Sequence, residues 1–225
     1  MTTIAPDPAP DLLALWERGR GLPPLHRSLA LAEAVGPSRD ELLQQPVGST
    51  NRILLDLREH LLGGDLTATA WCPSCGERVE FDLAREQFPD GGGPAAGEYG
   101  GVRWRAPTAG DLLAASQDPQ PLAALRARCL DSTDEPSAEL EALLAGADPL
   151  AEILLDLDCP ACGRPFLADL DIGAYVWQEI EAAARRLLLQ IDALARTYGW
   201  TEPEVLALPP VRRAAYLRMA AGGLP

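Results

Sequence analysis

The sequence predicts an α+β fold, with helices at both ends of the chain and a small antiparallel sheet between them. Short runs of alternating apolar and polar residues, typical of strands, lie on both sides of two similar cysteine motifs. Apolar residues at helical spacing precede the first motif, separate the two motifs, and continue without a break over residues 173–198. A chain of 225 residues with 47% hydrophobic content can bury the core that this class requires.

The first region, residues 1–64, predicts an N-terminal helical layer of four helices. Leucines at helical spacing predict the first two helices, over residues 11–18 and 22–35. Ser38 and Glu41 form a capping box, in which each side chain accepts a hydrogen bond from the other residue's backbone N–H at the start of the third helix. The fourth helix is expected to begin at a hydroxyl cap and to end at a glycine pair, at Ser49 or Thr50 and at Gly63-Gly64.

Two copies of a C-P-x-C-G motif lie at residues 72–76 and 159–163. Proline bends each loop, and the glycine after the second cysteine permits the backbone to reverse, often with a positive φ. Two cysteines separated by two residues can direct both sulfurs to one point. The two motifs therefore supply four thiolates, the ligand set of a closed tetrahedral zinc site. We predict one structural Zn²⁺ ion in a zinc-ribbon-like sheet, held by Cys72, Cys75, Cys159 and Cys162.

The distance between the two motifs leaves alternatives open. In a zinc ribbon the cysteine pairs are usually separated by about 15–20 residues, whereas residues 76–158 intervene here. One site therefore requires an intervening segment whose ends return together. Two separate redox C-x-x-C pairs, plain buried thiols and an iron site are the alternatives. The motif is also similar to that of rubredoxin, whose pairs lie much closer together. Cys129 stands alone on a predicted helix and is interpreted as a small core residue.

The second region, residues 65–172, contains both motifs and a helical insertion between them, over about residues 107–147. We predict a loop over residues 84–100, which are rich in glycine. Thr108, with Asp111 three residues later, is expected to begin the first helix of the insertion. A strand is predicted over residues 102–105, and further helices are predicted over residues 121–130 and 137–145.

The third region, residues 173–225, predicts one long helix followed by two short ones. Its apolar stripe has steps of three or four residues and comprises Ile172, Val176, Ile180, Ala184, Leu187, Ile191, Leu194 and Tyr198. Trp177, Leu188 and Leu189 lie beside this stripe and widen the apolar area. Gly199 is expected to end the long helix. A second capping box, Thr201 with Glu204, is expected to begin the first short helix. The second short helix is predicted to follow the proline pair Pro209-Pro210.

The charge is unevenly distributed. The 19 Arg and 33 acidic residues give a net charge of −14, and the six Arg and five acidic residues of 173–225 leave −15 on residues 1–172. An acidic body does not bind nucleic acid by counterion release, but it suits a basic protein partner. No apolar run is long enough to cross a membrane, and the first residues do not resemble a signal peptide. Paired cysteines without a secretion signal indicate a reducing compartment, so we expect a cytoplasmic location.

Motifs of common enzyme classes are absent from the sequence. There is no G-x-S-x-G, no P-loop and no H-E-x-x-H, and neither His26 nor His60 lies in a zinc-hydrolase motif. A zinc ion held by four cysteines has no open coordination position, so it cannot activate a water molecule as catalytic zinc does. We therefore predict that the protein is not an enzyme.

The C-terminal third carries a resemblance to a known family. Its residues are AYVWQEI at 174–180, ARRLL at 184–188, YGWTEPEVLAL at 198–208, Arg212-Arg213 and Tyr216-Leu217. This pattern is similar to that of the baseplate hub assembly chaperone family of contractile phage tails and phage-tail-like, extracellular contractile injection systems. Members of the bacterial branch also carry two C-P-x-C-G motifs and a P-T-x-x-D-L segment, which residues 107–112 match. The resemblance covers about residues 25–220.

This resemblance implies a non-enzymatic assembly factor or component of a baseplate, which binds another baseplate or tail hub protein. It leaves open whether the protein stays in the finished particle, and the oligomeric state is not predicted. Aromatic and Arg side chains dominate protein interfaces, and the candidates for partner contacts are Trp177, Arg185, Arg186, Trp200, Arg212, Arg213 and Tyr216. The alternative function is a zinc-ribbon nucleic-acid or transcription accessory protein, which the acidic body disfavours. An electron-transfer iron protein is the third possibility.

Overall fold

The computed structural model describes residues 9–64, 66–89, 92–132 and 134–223. Helices and small antiparallel sheets are combined in it, which confirms the predicted α+β class. The helices are α1 (Ala9–Gly19), α2 (Pro24–Glu33), α3 (Arg39–Gln44), α4 (Val47–Leu62), α5 (Ala109–Ala115), α6 (Pro121–Cys129), α7 (Ala138–Ala147), α8 (Ile172–Tyr198), α9 (Glu202–Leu206) and α10 (Pro210–Ala220). The strands are β1 (Leu66–Trp71), β2 (Arg78–Leu83), β3 (Ala96–Tyr99), β4 (Val102–Arg105), β5 (Leu154–Asp158) and β6 (Pro165–Asp169), and a 3₁₀ turn covers Arg85–Gln87.

The chain divides into two compact units. One unit comprises Met1–Arg20 and Trp177–Pro225, and the other comprises Gly21–Val176. Both cysteine motifs and the insertion between them therefore belong to the second of these units. Within the described ranges, no helix combines the length and the apolar character that a bilayer-spanning segment needs.

The helical layer of the unit Gly21–Val176 is built from α2, α3 and α4, and α2 packs against both of the others. These helices contribute leucines that are almost completely buried, namely Leu29, Leu31, Leu42, Leu54 and Leu55. The predicted capping box of α3 is confirmed, because Glu41 Oε2 accepts the Ser38 N–H at 2.8 Å and Ser38 Oγ accepts the Glu41 N–H at 3.4 Å. Gly63 ends α4 with a φ of 96°, as the glycine pair predicts.

The start of α4 contradicts the prediction that Ser49 or Thr50 caps it. The helix begins directly after Pro46, and Thr50 is buried in its first turn. The cap comes instead from a distant segment, because the Asp148 carboxylate accepts a hydrogen bond of 2.8 Å from the Gly48 N–H. A Cβ atom at Gly48 would lie 1.9 Å from Asp148 Oδ1, so this close approach requires glycine.

The loop prediction over residues 84–100 is wrong in its last part, where β3 forms and pairs with β4 in an antiparallel hairpin. The turn between these strands contains Gly100 and Gly101, with φ values of 58° and 81°, which glycine adopts without steric cost. Gly97 faces Trp104 across the hairpin, and a Cβ atom at Gly97 would lie only 3.0 Å from the indole ring. Gly100 and Gly101 therefore make the turn, and Gly97 leaves room for the tryptophan.

The insertion and this hairpin share a small core. It consists of Trp104, Ala106, Leu130, Leu140 and Ala147, with Val102 and Leu144 packed against it. The predicted cap of α5 is confirmed, because Asp111 accepts the Thr108 N–H at 2.9 Å. Asp111 also receives two hydrogen bonds from Arg105, which lower the pKa of this buried carboxyl to about 2. A buried carboxylate is thereby paired, as stability requires.

The long helix α8 confirms the C-terminal prediction to within one residue at its start. Of the eight residues in the predicted stripe, all except Tyr198 are buried. Gly199 follows the helix with a φ of 72°, and at the start of α9 the Glu204 carboxylate accepts the Thr201 N–H at 2.8 Å, as the predicted capping box requires of its glutamate. Local patterns are sufficient here because helix caps and apolar periodicity act between residues a few positions apart.

Candidate metal centre

Each cysteine motif closes a two-stranded antiparallel hairpin, as predicted. β1 pairs with β2 and β5 pairs with β6, and each pair is a separate sheet. In the first hairpin the Cys72 N–H donates to the Glu77 carbonyl at 2.8 Å, and the Gly76 N–H donates to the Cys72 carbonyl at 2.9 Å. The second hairpin repeats both bonds at equivalent positions, from Cys159 N to Arg164 O at 3.1 Å and from Gly163 N to Cys159 O at 2.8 Å.

The two turns have the same geometry, and this geometry depends on their glycines. Gly76 and Gly163 have φ values of 75° and 68°, in the left-handed region that costs other residues free energy. Proline in the second position of each motif, Pro73 and Pro160, fits the loop because its missing N–H is not needed in either repeated hydrogen bond. Both turns consequently present their two cysteine side chains in the same way.

The structure brings the two hairpins together at their cysteines. The four sulfur atoms of Cys72, Cys75, Cys159 and Cys162 all lie within 4.8 Å of one another. Two of these contacts join the hairpins: the sulfurs of Cys72 and Cys162 are 3.8 Å apart, and those of Cys75 and Cys159 are 3.6 Å apart. The site is therefore one four-sulfur cluster to which each hairpin contributes two ligands.

The first cysteine of each motif is buried and the second is exposed. Cys72 and Cys159 are 2% and 1% exposed, and they belong to a small apolar cluster with Val79 and Phe166. Phe81, Leu157 and two alanines, Ala70 and Ala168, pack against this cluster. The buried pair thus anchors the sulfurs in the contact between the hairpins, while the exposed pair closes the cluster on its solvent side.

Neighbouring groups shift the pKa values of Cys72 and Cys75 in opposite directions. At Cys72 burial opposes ionisation, but the N–H groups of Ser74 and Cys75 and the adjacent thiols outweigh it and lower the pKa to about 7. At Cys75 the Glu77 N–H favours the thiolate, yet desolvation and the three other sulfurs prevail and raise the pKa to about 12. A second negative charge is disfavoured because like charges repel at this distance. A cation between the sulfurs would remove that repulsion.

The spacing of the sulfurs fits a four-coordinate metal ion. A regular tetrahedron with metal–sulfur bonds of about 2.3 Å places its sulfurs about 3.8 Å apart, close to the observed values of 3.8 and 3.6 Å. The cluster could therefore hold a metal ion with a cysteine in every position. It is the single such group of His, Cys, Asp and Glu side chains in the described part of the chain. Cys129 lies outside it and is buried.

The other predicted site residues do not share one environment. Trp177 and Arg213 are buried, whereas Arg185, Arg186 and Arg212 are exposed. Arg185 forms an ion pair of 2.9 Å with Glu181, four residues earlier on α8. Trp200 and Tyr216 are half-buried.

Trp200 and Tyr216 belong to an aromatic trio whose third member is Tyr198. The Tyr198 and Trp200 rings are stacked with centroids 4.7 Å apart, and Tyr216 meets both rings edge-on at 5.7 and 4.8 Å. Such arrangements stabilise aromatic pairs by about 0.5–1.5 kcal/mol beyond their buried area. Sequence reasoning placed Tyr198 on the buried stripe, but it is 37% exposed and joins the trio instead. The Y-G-W sequence could have indicated the contact between Tyr198 and Trp200, since Gly199 reverses the chain between the two rings.

Comparison of the chain with models of known protein families, with curated proteins and with solved structures gives no match.

Proposed function

We propose that the four cysteines hold one structural zinc ion. The observation that carries this proposal is the convergence of four sulfurs from two distant motifs at the spacing of a tetrahedral site. Thiolates are soft ligands that suit zinc and iron, and zinc favours four-coordinate tetrahedral geometry in structural sites. With a cysteine in every position the ion has no vacancy for water or substrate, so its role is to join the two hairpins.

Metal analysis tests this proposal directly. Protein purified without added metal should contain one zinc per chain, because a structural site retains its ion through purification. It should be colourless above 300 nm, as an ion with a filled d shell requires. Mass spectrometry under native conditions should show the mass of one ion and the loss of protons that thiolate binding entails. A red protein containing iron, or a protein without bound metal that folds equally well, would contradict the proposal.

We further propose that the protein is a non-enzymatic assembly factor or component of a contractile phage tail or injection-system baseplate, acting in the cytoplasm. This role is supported by the C-terminal sequence resemblance together with the closed cysteine cluster, which leaves no coordination position for catalysis. Its partner would be another baseplate or hub protein. Isolation of the tagged protein from cells that express the neighbouring genes should retain such a protein, whereas retention of nucleic acid alone would contradict this role.

The aromatic trio is the best-supported candidate for contact with this partner. Half-buried aromatic residues present rigid apolar surface at little entropic cost and are common among interface hot spots. Arg212 is exposed at the start of α10, close in sequence to Tyr216. The alternative is that the trio only fixes α9 and α10 against the end of α8. The two interpretations differ in what a truncated Trp200 does to binding and to folding.

Replacing Trp200 with alanine should weaken partner capture about 30-fold or more, since truncation of a hot-spot tryptophan costs about 2 kcal/mol or more. The matched control is Trp71→Ala, because Trp71 is an exposed tryptophan on β1, 68% accessible, outside the C-terminal region. Capture of the isolated partner should be measured by surface plasmon resonance, with metal content and melting temperature for each variant. If Trp200→Ala fails to fold, or if both variants bind equally well, the interface assignment is wrong.

A further inference from the structure

The net negative charge of the protein comes entirely from one of its two compact units. Gly21–Val176 contains 11 Arg and 25 acidic residues, a net charge of −14. The other unit contains eight Arg and eight acidic residues, a net charge of zero. Within the acidic unit, residues 129–163 include nine carboxylates and no basic residue. The stretch that contains α7 and β5 therefore has the composition that attracts a cationic partner.

A cleft of about 320 Å³ lies between this stretch and α6, and is bordered by α6, α7 and the turn that follows α7. Its walls are mainly apolar and include Leu122, Leu125, Leu130, Pro136 and Leu144. Leu122 is 61% exposed, so the apolar surface continues out of the cleft onto α6. A cleft of this size accommodates one or two large apolar side chains, and its open outer surface suits a segment longer than the cleft itself.

The polar groups of the cleft leave an excess of negative charge. Its one basic residue, Arg126, forms ion pairs with Glu135 at 2.5 Å and with Glu141 at 4.0 Å, so its charge is balanced. Asp148 is buried, and its carboxylate receives the Gly48 N–H. No Arg lies within ion-pair distance of Asp148 or Glu152 among the described residues. Burial raises the pKa of Asp148 and so disfavours its charged form, which leaves exposed Glu152 as the carboxylate of this cleft that lacks a counter-charge.

We propose that this cleft binds a basic amphipathic segment of a protein partner, with an apolar side chain between α6 and α7 and an Arg or Lys beside Glu152. The inference rests on the proposed function of binding another protein, and it assigns the chemistry of that contact. The apolar walls gain free energy by losing water. A cationic side chain at Glu152 supplies the counter-charge that the chain itself does not, which favours a basic segment over an acidic or neutral one.

The probe is a fluorescein-labelled 15-residue peptide built from Leu and Arg at helical spacing, titrated into the intact metal-loaded protein and followed by fluorescence anisotropy. Charge reversal in Glu152→Arg should weaken binding at least tenfold. Reversal in Glu139→Arg, on exposed α7 surface that does not line the cleft, changes the net charge equally and should alter binding less than twofold. Equal effects of the two variants would show general attraction to an acidic surface and would overturn the proposal.

Two further measurements locate the peptide. Leu122→Ser should weaken binding without changing the melting temperature appreciably, because this wall residue is mostly exposed. A version of the peptide with Ser in place of Leu should bind at least tenfold more weakly. Cys129 lines the cleft and lies outside the cysteine cluster, so bound peptide should slow its alkylation by N-ethylmaleimide, as mapped by mass spectrometry. Unchanged alkylation at saturating peptide would place the peptide elsewhere and refute the cleft assignment.

The outcomes also separate this inference from the proposed function. If the partner is captured in a Trp200-dependent manner but the peptide does not discriminate Glu152→Arg from Glu139→Arg, the cleft assignment alone fails. If the peptide binds the cleft as described but no baseplate protein is captured, the assembly role fails and the cleft remains a site for basic segments.

Discussion

Replacing Cys159 with serine should release the proposed zinc ion and unfold both cysteine hairpins. Isolated two-stranded hairpins are marginally stable in water, and the cluster shared by these two has only four buried residues. Structural zinc contributes about 10–16 kcal/mol in small zinc-binding peptides, which is comparable to the whole free energy of unfolding of a domain, about 5–15 kcal/mol. The substitution also places the serine hydroxyl at a position that is only 1% exposed, where a polar group without a hydrogen-bond partner lowers stability.

The expected result is loss of about one zinc per chain, together with loss of amide protection in β1, β2, β5 and β6. The insertion should loosen as well, because the cluster closes the chain between Cys75 and Cys159. Hydrogen–deuterium exchange with peptide-level resolution measures both effects. A chelator should reproduce them in the unaltered protein, since metal binding and folding are coupled.

Cys129→Ser is the matched control for this experiment. Cys129 is also buried, at 8% exposure, but it lies outside the cluster. Its replacement should cost about 1–2 kcal/mol for a buried hydroxyl while the metal content stays complete. A Cys159→Ser variant that keeps its melting temperature after losing its metal would show that the ion does not hold the hairpins together.

Replacing Gly48 with alanine should destabilise the unit Gly21–Val176 by about 1–3 kcal/mol or more, the usual cost of overpacking a close contact. The new Cβ would lie 1.9 Å from Asp148 Oδ1 and 2.9 Å from Leu150 Cβ. The turn at Asp148 would have to move away, and α4 would lose the carboxylate that accepts the Gly48 N–H. Asn51 Nδ2 donates to the Leu150 carbonyl at 2.7 Å, so a second hydrogen bond to the same turn would be strained.

Gly146→Ala provides a control, because it should raise the free energy of unfolding that Gly48→Ala lowers. Gly146 is also helical, in α7, but a Cβ atom there would meet nothing within 4 Å and its φ is not positive. Alanine should therefore stabilise the protein by about 0.5–1 kcal/mol through helix propensity and a smaller entropy of the unfolded chain. Urea unfolding of both variants, followed by circular dichroism, tests the pair. Equal effects of the two substitutions would mean that the turn at Asp148 can move away from residue 48 at no cost in stability.

Several features of the protein follow from short stretches of its sequence. The hairpins at the two C-P-x-C-G motifs, the helix starts at Ser38, Thr108 and Thr201, and the length of α8 all appear where the sequence predicts them. Each depends on hydrogen bonds or apolar contacts between residues a few positions apart, so local residue types determine them. The identity of the four clustered cysteines was predictable for the same reason, since each motif orients its own pair.

Other features were decided by the tertiary structure. The cap of α4 comes from Asp148, 100 residues away, and no local pattern at Ser49 or Thr50 could indicate it. β3 forms in a glycine-rich stretch because Trp104 of the neighbouring strand packs against Gly97. The cleft beside α6 and α7 exists only when both helices and the following turn are in place. The sequence by itself determined the hairpins, caps and long helix. The convergence of the two cysteine hairpins was decided by the tertiary structure, because the entropic cost of closing a long loop is repaid only by contacts between distant segments.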